Sequence, residues 1–268
     1  MSSALLLVLL ATGPEQWALP GFRAHLTVSE RLDPDQLRAL ARPEVVLWLQ
    51  TDSNLLRVST REALAQAGAV WVQVRAPFRP ENLESFRGRV GAWVFEAGLD
   101  VRRFRRWAPG RVAVELDGEL SESVLERVRA LHPLAVRWRA PGWPDAQTWS
   151  RAARLAGLEI RGLEGPAPNC GAIPHRIRAR IRVRLDRALG DSCGLPLRVE
   201  VPPDVEEGRL RALFVERPDA ELAVEVGTDT ARADAARQLL ERLAAVTPGG
   251  GRVEANARTG VAPDAGRR

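Results

Sequence analysis

Arg111-Val-Ala-Val-Glu-Leu-Asp117, a helically spaced stretch from Ser121 to Leu131, and Leu134-Ala-Val-Arg-Trp-Arg139 follow one another along the chain. The two flanking runs are short, rich in β-branched or aromatic side chains and bounded by Gly, Pro or charged residues, which is the chemistry of strands. The stretch between them opens on Ser121, a hydroxyl set ahead of an acidic first turn, which is a helix start signal. No hairpin signal joins the strands, so the helix is a crossover and the strands run parallel.

Working outward, the same unit recurs at intervals of about 20 to 24 residues. His25-Leu-Thr-Val-Ser29, Val45-Val-Leu-Trp-Leu-Gln50, Val70-Trp-Val-Gln-Val-Arg75 and Gly91-Ala-Trp-Val-Phe-Glu96 precede it, and Leu158-Glu-Ile-Arg161 follows. Helical spacing returns at Pro34 to Ala41, Thr60 to Ala67 and Ala146 to Ala156, with Ser59-Thr-Arg-Glu62 as a second start signal. The alternation predicts an α/β fold of repeated βα units, closed as a (β/α)8 TIM-type barrel. Leu195-Pro-Leu-Arg-Val-Glu-Val201 supplies the eighth strand. Glu221-Leu-Ala-Val-Glu-Val226 and the helix Ala231 to Ala245 then form a C-terminal βα extension, which an open doubly wound sheet would also absorb.

The 268 residues suit one barrel of this kind. Residues 1–20 form an N-terminal apolar segment, 21–246 the barrel-like domain with a loop or strand insertion at about 163–195, and 247–268 a tail without apolar periodicity, expected to be disordered.

Composition excludes several chemistries. All 39 basic residues are arginine, and there is neither lysine nor tyrosine. A chain without lysine forms no Schiff base, holds no pyridoxal phosphate covalently and lacks the lysine of a GxxxxGK[ST] phosphate loop. The isoelectric point of about 10.7 overstates the basicity. The net charge is only +5, and without Lys or Tyr little titrates in the alkaline range to offset it. A G- and C-rich codon bias would produce arginine in place of lysine without any functional demand for it. No GxSxG, HExxH or GxGxxG is present, and His25, His132 and His175 are dispersed, so no metal or other cofactor is expected.

The N-terminal segment Met1-Ser-Ser-Ala-Leu-Leu-Leu-Val-Leu-Leu-Ala-Thr-Gly13 has an apolar core of signal-peptide length, far short of a transmembrane helix. It lacks a basic n-region and a good cleavage site, and a buried first strand is the alternative. Cys170 and Cys193 sit at the two edges of one loop, as a disulfide would place them, which favours a periplasmic or secreted protein over a cytoplasmic one. Neither belongs to a CxxC pair, so redox catalysis and zinc binding have little support.

Within that loop, Arg176-Ile-Arg178-Ala-Arg180-Ile-Arg182-Val-Arg184-Leu185 alternates arginine with apolar residues. Period two makes a strand with one basic face. Such a row would grip a glycan or another anionic polymer. A structural reading pairs it instead with Glu200, Glu221 and Glu225 of later strands as a solvated ion-pair face. No aromatic residue interleaves the arginines and no nucleic-acid motif is present, which argues against nucleic acid.

Alternation also sorts the strands into an outer apolar set and an inner set. The inner set is His25, Thr27, Ser29, Trp48, Gln50, Trp71, Gln73, Arg75, Glu96, Glu115, Asp117, Arg137, Arg139, Glu159 and Arg161. Barrel cores are ordinarily filled by branched apolar chains, so this interior either lines a site at the C-terminal ends of the strands or forms a structural Arg–Glu network. For an enzyme, the catalytic set would be Glu96, Glu115, Asp117 and Glu164. Paired carboxylates flanking a sugar act as acid and nucleophile, or acid and base, according to their separation. Arg75, Arg137, Arg139, Gln50 and Trp143 would contact the substrate, with Trp143, in the Pro141-Gly-Trp-Pro144 loop, stacking on a sugar ring.

A Glu after strands four and seven resembles the arrangement in barrel glycoside hydrolases, by position only. The Asn-Glu pair common before the acid in those families is absent, because Phe95 precedes Glu96. The expectation is an exported, carbohydrate-active barrel like a glycoside hydrolase. The alternatives are a non-catalytic barrel binding a glycan or anionic polymer, and a structural protein.

Overall fold

Ten parallel strands and six helices make up the described part of the computed structural model, which covers residues 24–51, 56–74, 90–95, 112–155, 157–164, 170–174, 177, 179–187 and 192–246. For residues 74, 90–95 and 244–246 only the backbone is described. The strands are β1 (Ala24–Ser29), β2 (Val45–Gln50), β3 (Ala69–Val74), β4 (Val90–Phe95), β5 (Val112–Asp117), β6 (Ala135–Arg139), β7 (Leu158–Arg161), β8 (Ala179–Arg184), β9 (Leu197–Glu200) and β10 (Glu221–Gly227). The helices are α1 (Pro34–Leu40), α2 (Val58–Leu64), α3 (Glu122–Leu131), α4 (Ala146–Ala152), α5 (Glu207–Glu216) and α6 (Thr230–Val246).

Each strand pairs with its neighbour in sequence, and β1 pairs in parallel with both β2 and β10, so the hydrogen-bonding order closes on itself. The α/β class and the parallel barrel-like sheet agree with the sequence. The count does not. The ring holds ten strands rather than eight with an appended unit, because β10 closes onto β1 and β8 lies between β7 and β9. The stretch read as an insertion therefore contributes a ring strand. An arginine-rich strand gives a weak hydrophobic signal, and only its partners show that its charged face is neutralised inside.

The outer faces of the strands and the inner faces of the helices form one apolar core. Leu26 and Val28, Leu47 and Leu49, Val112 and Val114, Ile160, Val199, Leu222 and Val224 meet Leu37 and Leu40 of α1, Leu125 and Val128 of α3, Trp149 of α4, Leu210 and Leu213 of α5 and Leu239 of α6. Local signals set the helix ends. Asp33, Ser121 and Asp145 cap α1, α3 and α4 by accepting from Asp35, Val124 and Thr148 backbone N–H groups. His132 takes the left-handed conformation that ends α3 and turns the chain into β6. The start signal at Ser59 is displaced: α2 begins at Val58, after Arg57, without a side-chain cap.

Cys170 and Cys193 form the expected disulfide, bracketing β8. Among the described residues no helix is long and apolar enough to cross a membrane. The N-terminal segment and the C-terminal tail lie outside the described residues.

Candidate functional site

Parity decides what enters the barrel. In parallel strands flanked by helices, one alternate set must face the helices, and the other has only the interior left. On β2, β3, β5 and β6 the deep interior positions are Val46, Ala69, Ala113 and Ala135, which cluster with Trp48 and Trp71. The two indoles stack with centroids 5.6 Å apart. The guanidinium of Arg137, from β6, lies 4.3 Å from the centre of the Trp48 ring, from β2. This cation–π contact spans the interior between strands that are not neighbours.

The other half of the interior is ionic. Glu159, fully buried on β7, receives Arg137 Nε at 3.2 Å and Arg198 Nη1, with Arg182 Nη1 at 3.9 Å. Arg198 turns the rest of its fork on Glu221 Oε2, with Nη2 at 2.7 Å and Nε at 3.2 Å. Arg180 also contacts Glu221, and His25 Nε2 lies 3.0 Å from Glu221 Oε2. Nearer the strand C-termini, Arg161 contacts Glu115, and Arg182 donates from Nε to Glu200 at 2.6 Å. Arg180 and Arg182 of β8 thus pair with Glu221 and Glu200 as the structural reading expects; the Glu221 pair is buried inside the barrel, and the Glu200 carboxylate is partly exposed at its end.

Burial and these contacts set the protonation states. Burial, reinforced by the Arg198 charge, pulls His25 down to about 3, so its ring is neutral. Burial pushes Glu221 up, but contact with His25 and the charge of Arg198 outweigh it and hold the carboxyl at about 2. Desolvation lowers Arg137 and Arg198, and brings Arg161 to about 10 with the help of the neighbouring Arg182 charge. Desolvation raises Glu225, against a hydrogen bond from Thr27 and the charges of Arg182 and Arg137.

At the strand C-termini the interior opens into a cavity of about 260 Å3, lined by Arg139, Arg161, Arg182, Arg184, Glu164 and Glu200 together with Gly162, Leu163 and Val183. Arg161 is tethered by the buried Glu115, and Arg182 by Glu200 on the cavity wall. Arg184 lies 3.4 Å from the exposed Asp186. Arg139 is exposed and makes no ion pair among the described residues. Gly162 shapes the rim: its φ is +81°, and a Cβ there would lie 2.8 Å from the Ala140 carbonyl oxygen.

The expected site residues are therefore divided. Arg139 and Glu164 line this mouth, and Arg137 is buried under Trp48 contact and Glu159. Glu115 is buried against Arg161, Asp117 is exposed at the end of β5, and Gln50 is half-buried at the end of β2. Trp143 lines a separate cavity. Glu96 and Arg75 lie outside the described residues. Arg182, Arg184 and Glu200 join Arg161, already in the inner set by parity, at the mouth, and the signal for them is the same parity once β8 and β9 are counted into the ring. Among the described residues no group of His, Cys, Asp and Glu is arranged to hold a metal ion. No protein-family model matches the chain, and no curated protein matches it.

Proposed function

We propose that the barrel binds an acidic sugar unit, as part of a glycan, at the arginine-lined mouth. The observation that carries this reading is the convergence of four guanidiniums on one small cavity, with Arg139 left without an ion pair among the described residues. Guanidinium groups recognise carboxylate and sulfate oxygens by charge-assisted, often bidentate hydrogen bonds. Glu164 and Glu200 on the same rim accept from hydroxyl groups, which suits a polyhydroxylated anion better than a bare one. At about 260 Å3 the cavity lies just below the usual range for small-molecule clefts, so it suits one charged unit rather than a long polymer. The Cys170–Cys193 bridge fits an oxidising compartment, where such glycans are met.

Titration calorimetry with glucuronic acid and a sulfated hexose tests the reading. Arg139→Ser should weaken binding about 10- to 100-fold, the equivalent of one charge-assisted contact. Unchanged affinity, or no binding by the unaltered protein, refutes it.

A hydrolytic role at the same mouth is the second reading. It is favoured by Glu164, a lining carboxylate that makes no ion pair among the described residues. Glycan cleavage that Glu164→Gln abolishes while binding persists would establish it.

A further inference from the structure

We propose a second site in the groove between the β5–α3 and β6–α4 connections, taking a neutral pyranose ring of the same glycan whose acidic unit the mouth holds. This rests on the mouth reading for its neighbour but not for its own chemistry. The groove encloses about 570 Å3, within the usual range for ligand clefts, and shares no lining residue with the mouth.

Its walls are fixed by contacts that need no ligand. Trp143 is half-buried and packs on the outer apolar core, which makes it a platform rather than a loose side chain. Beneath the groove, the buried Trp138 donates its indole N–H to the Gly118 carbonyl at 2.8 Å, pinning the connection that carries Glu119. Ser121 and Asp145 are held by capping Val124 and Thr148. Glu122 is engaged by Arg154 at 2.9 Å and lies 3.9 Å from Arg151. Glu119 makes no ion pair among the described residues and is the rim acceptor left open.

The lining selects the ligand. Glu119, Glu122 and Asp145 stand against Arg151 on the lining and Arg154, which engages Glu122 from outside it, so the groove keeps a net negative charge and disfavours anions. A pyranose offers an apolar C–H face to an indole and hydroxyl donors to carboxylate and amide acceptors, and the groove provides both. The two sites flank one connection: Arg139 lines the mouth, while Pro141, Gly142 and Trp143 line the groove. Four residues of chain span at most about 14 Å, so a short oligosaccharide reaches both.

Three probes and three variants separate the sites. Titrations of glucuronic acid, a neutral glucan tetrasaccharide and a tetrasaccharide with one terminal glucuronate would be run on the full chain and on Trp143→Ala, Trp143→Phe and Arg139→Ser. Trp143→Ala should weaken both tetrasaccharides about tenfold or more and leave glucuronic acid unchanged, and Trp143→Phe, which keeps an aromatic face, should restore most of the loss. Neutral tetrasaccharide binding that depends on Trp143, with no glucuronic acid binding, sinks the mouth reading and leaves the groove standing. Equal tetrasaccharide affinity in the full chain and Trp143→Ala overturns the groove proposal. So does failure of both tetrasaccharides to bind, or displacement of the neutral one by tetramethylammonium, which would mark a cation site.

Discussion

Replacing Glu159 by Gln removes one negative charge from the most deeply buried ionic position among the described residues while keeping size and shape. Glu159 is fully buried, and Arg137 and Arg198, both on its oxygens, are each 2% exposed. Gln offers one acceptor where the carboxylate offered two, and turns an N–H2 toward a guanidinium that can only donate. Two buried cations then lose part of their compensation. Breaking a buried pair from one side costs about 3–5 kcal/mol, a large share of the 5–15 kcal/mol that holds a typical protein folded. For a chain of this size that is roughly 6 to 20 °C in Tm. Urea unfolding followed by tryptophan fluorescence measures it, with Glu207→Gln as the control. Glu207 pairs with Arg211 one turn away on the exposed face of α5, and its loss should cost under about 0.5 kcal/mol. A cost below about 1 kcal/mol for Glu159→Gln, or equal costs for the two variants, would refute the claim that the interior charges depend on one another.

Three further outcomes follow from the same contacts. His25 titrates near 6.5 when unfolded and is held at about 3 when folded, so the unfolded state binds the extra proton as pH falls. Stability is then fully present above pH 6.5 and is lost toward pH 3, by about 2 kcal/mol at pH 5, and His25→Gln should flatten the pH 7-to-5 portion of a denaturation series. Reducing Cys170–Cys193, which closes a loop of 23 residues' separation, should cost about 3 kcal/mol, read as a drop in Tm with a phosphine reductant that Cys170→Ser/Cys193→Ser makes disappear. Gly162→Ala should destabilise by about 1–3 kcal/mol and weaken ligand binding at the mouth, because φ of +81° and the Ala140 carbonyl both oppose a Cβ there; unchanged values on both counts would show that the rim relaxes.

The parallel strands, and the inward sets of those whose side chains are described, were legible because period two and period 3.6 alternate so regularly between His25 and Arg161. What the sequence concealed was the number of strands in the closed ring. Nothing in Arg180-Ile-Arg182-Val-Arg184 says whether its charged face meets water or other strands. Only the register, which sets Arg182 opposite Arg198 and Arg184 opposite Glu200 while Arg198 lies opposite Glu221, shows the face turned inward. The site was half legible for a related reason. Arg139 and Glu164 end β6 and follow β7, and strand-end reasoning finds them. Trp143 was grouped with them because its loop leaves the same face, yet it lines the neighbouring groove. Glu115 reads as a candidate carboxylate from its strand end alone, which says nothing about who reaches across from two strands away, and the structure adds Arg161 there.

Arg182 links the mouth to the deep network, and it separates two ways of ranking an ion pair. Its bond to Glu200 is short, 2.6 Å, but the Glu200 side chain is 42% exposed. Its contact with Glu159 is long, 3.9 Å, but Glu159 is sealed from water. Distance alone ranks Glu200 as the more important carboxylate. Solvent screening reverses the order, since water replaces much of what a partly exposed carboxylate supplies and nothing replaces a buried one. Glu200→Gln should therefore cost under about 1 kcal/mol of stability against the several expected for Glu159→Gln. Its effect should fall on the mouth, where Arg182 loses the partner that orients it and the rim gains positive charge. Anion association should become faster and more sensitive to salt, readable by stopped-flow tryptophan fluorescence at low and high ionic strength. If Glu200→Gln instead unfolds the barrel while Glu159→Gln leaves it intact, contact distance governs this network and the argument from burial is wrong.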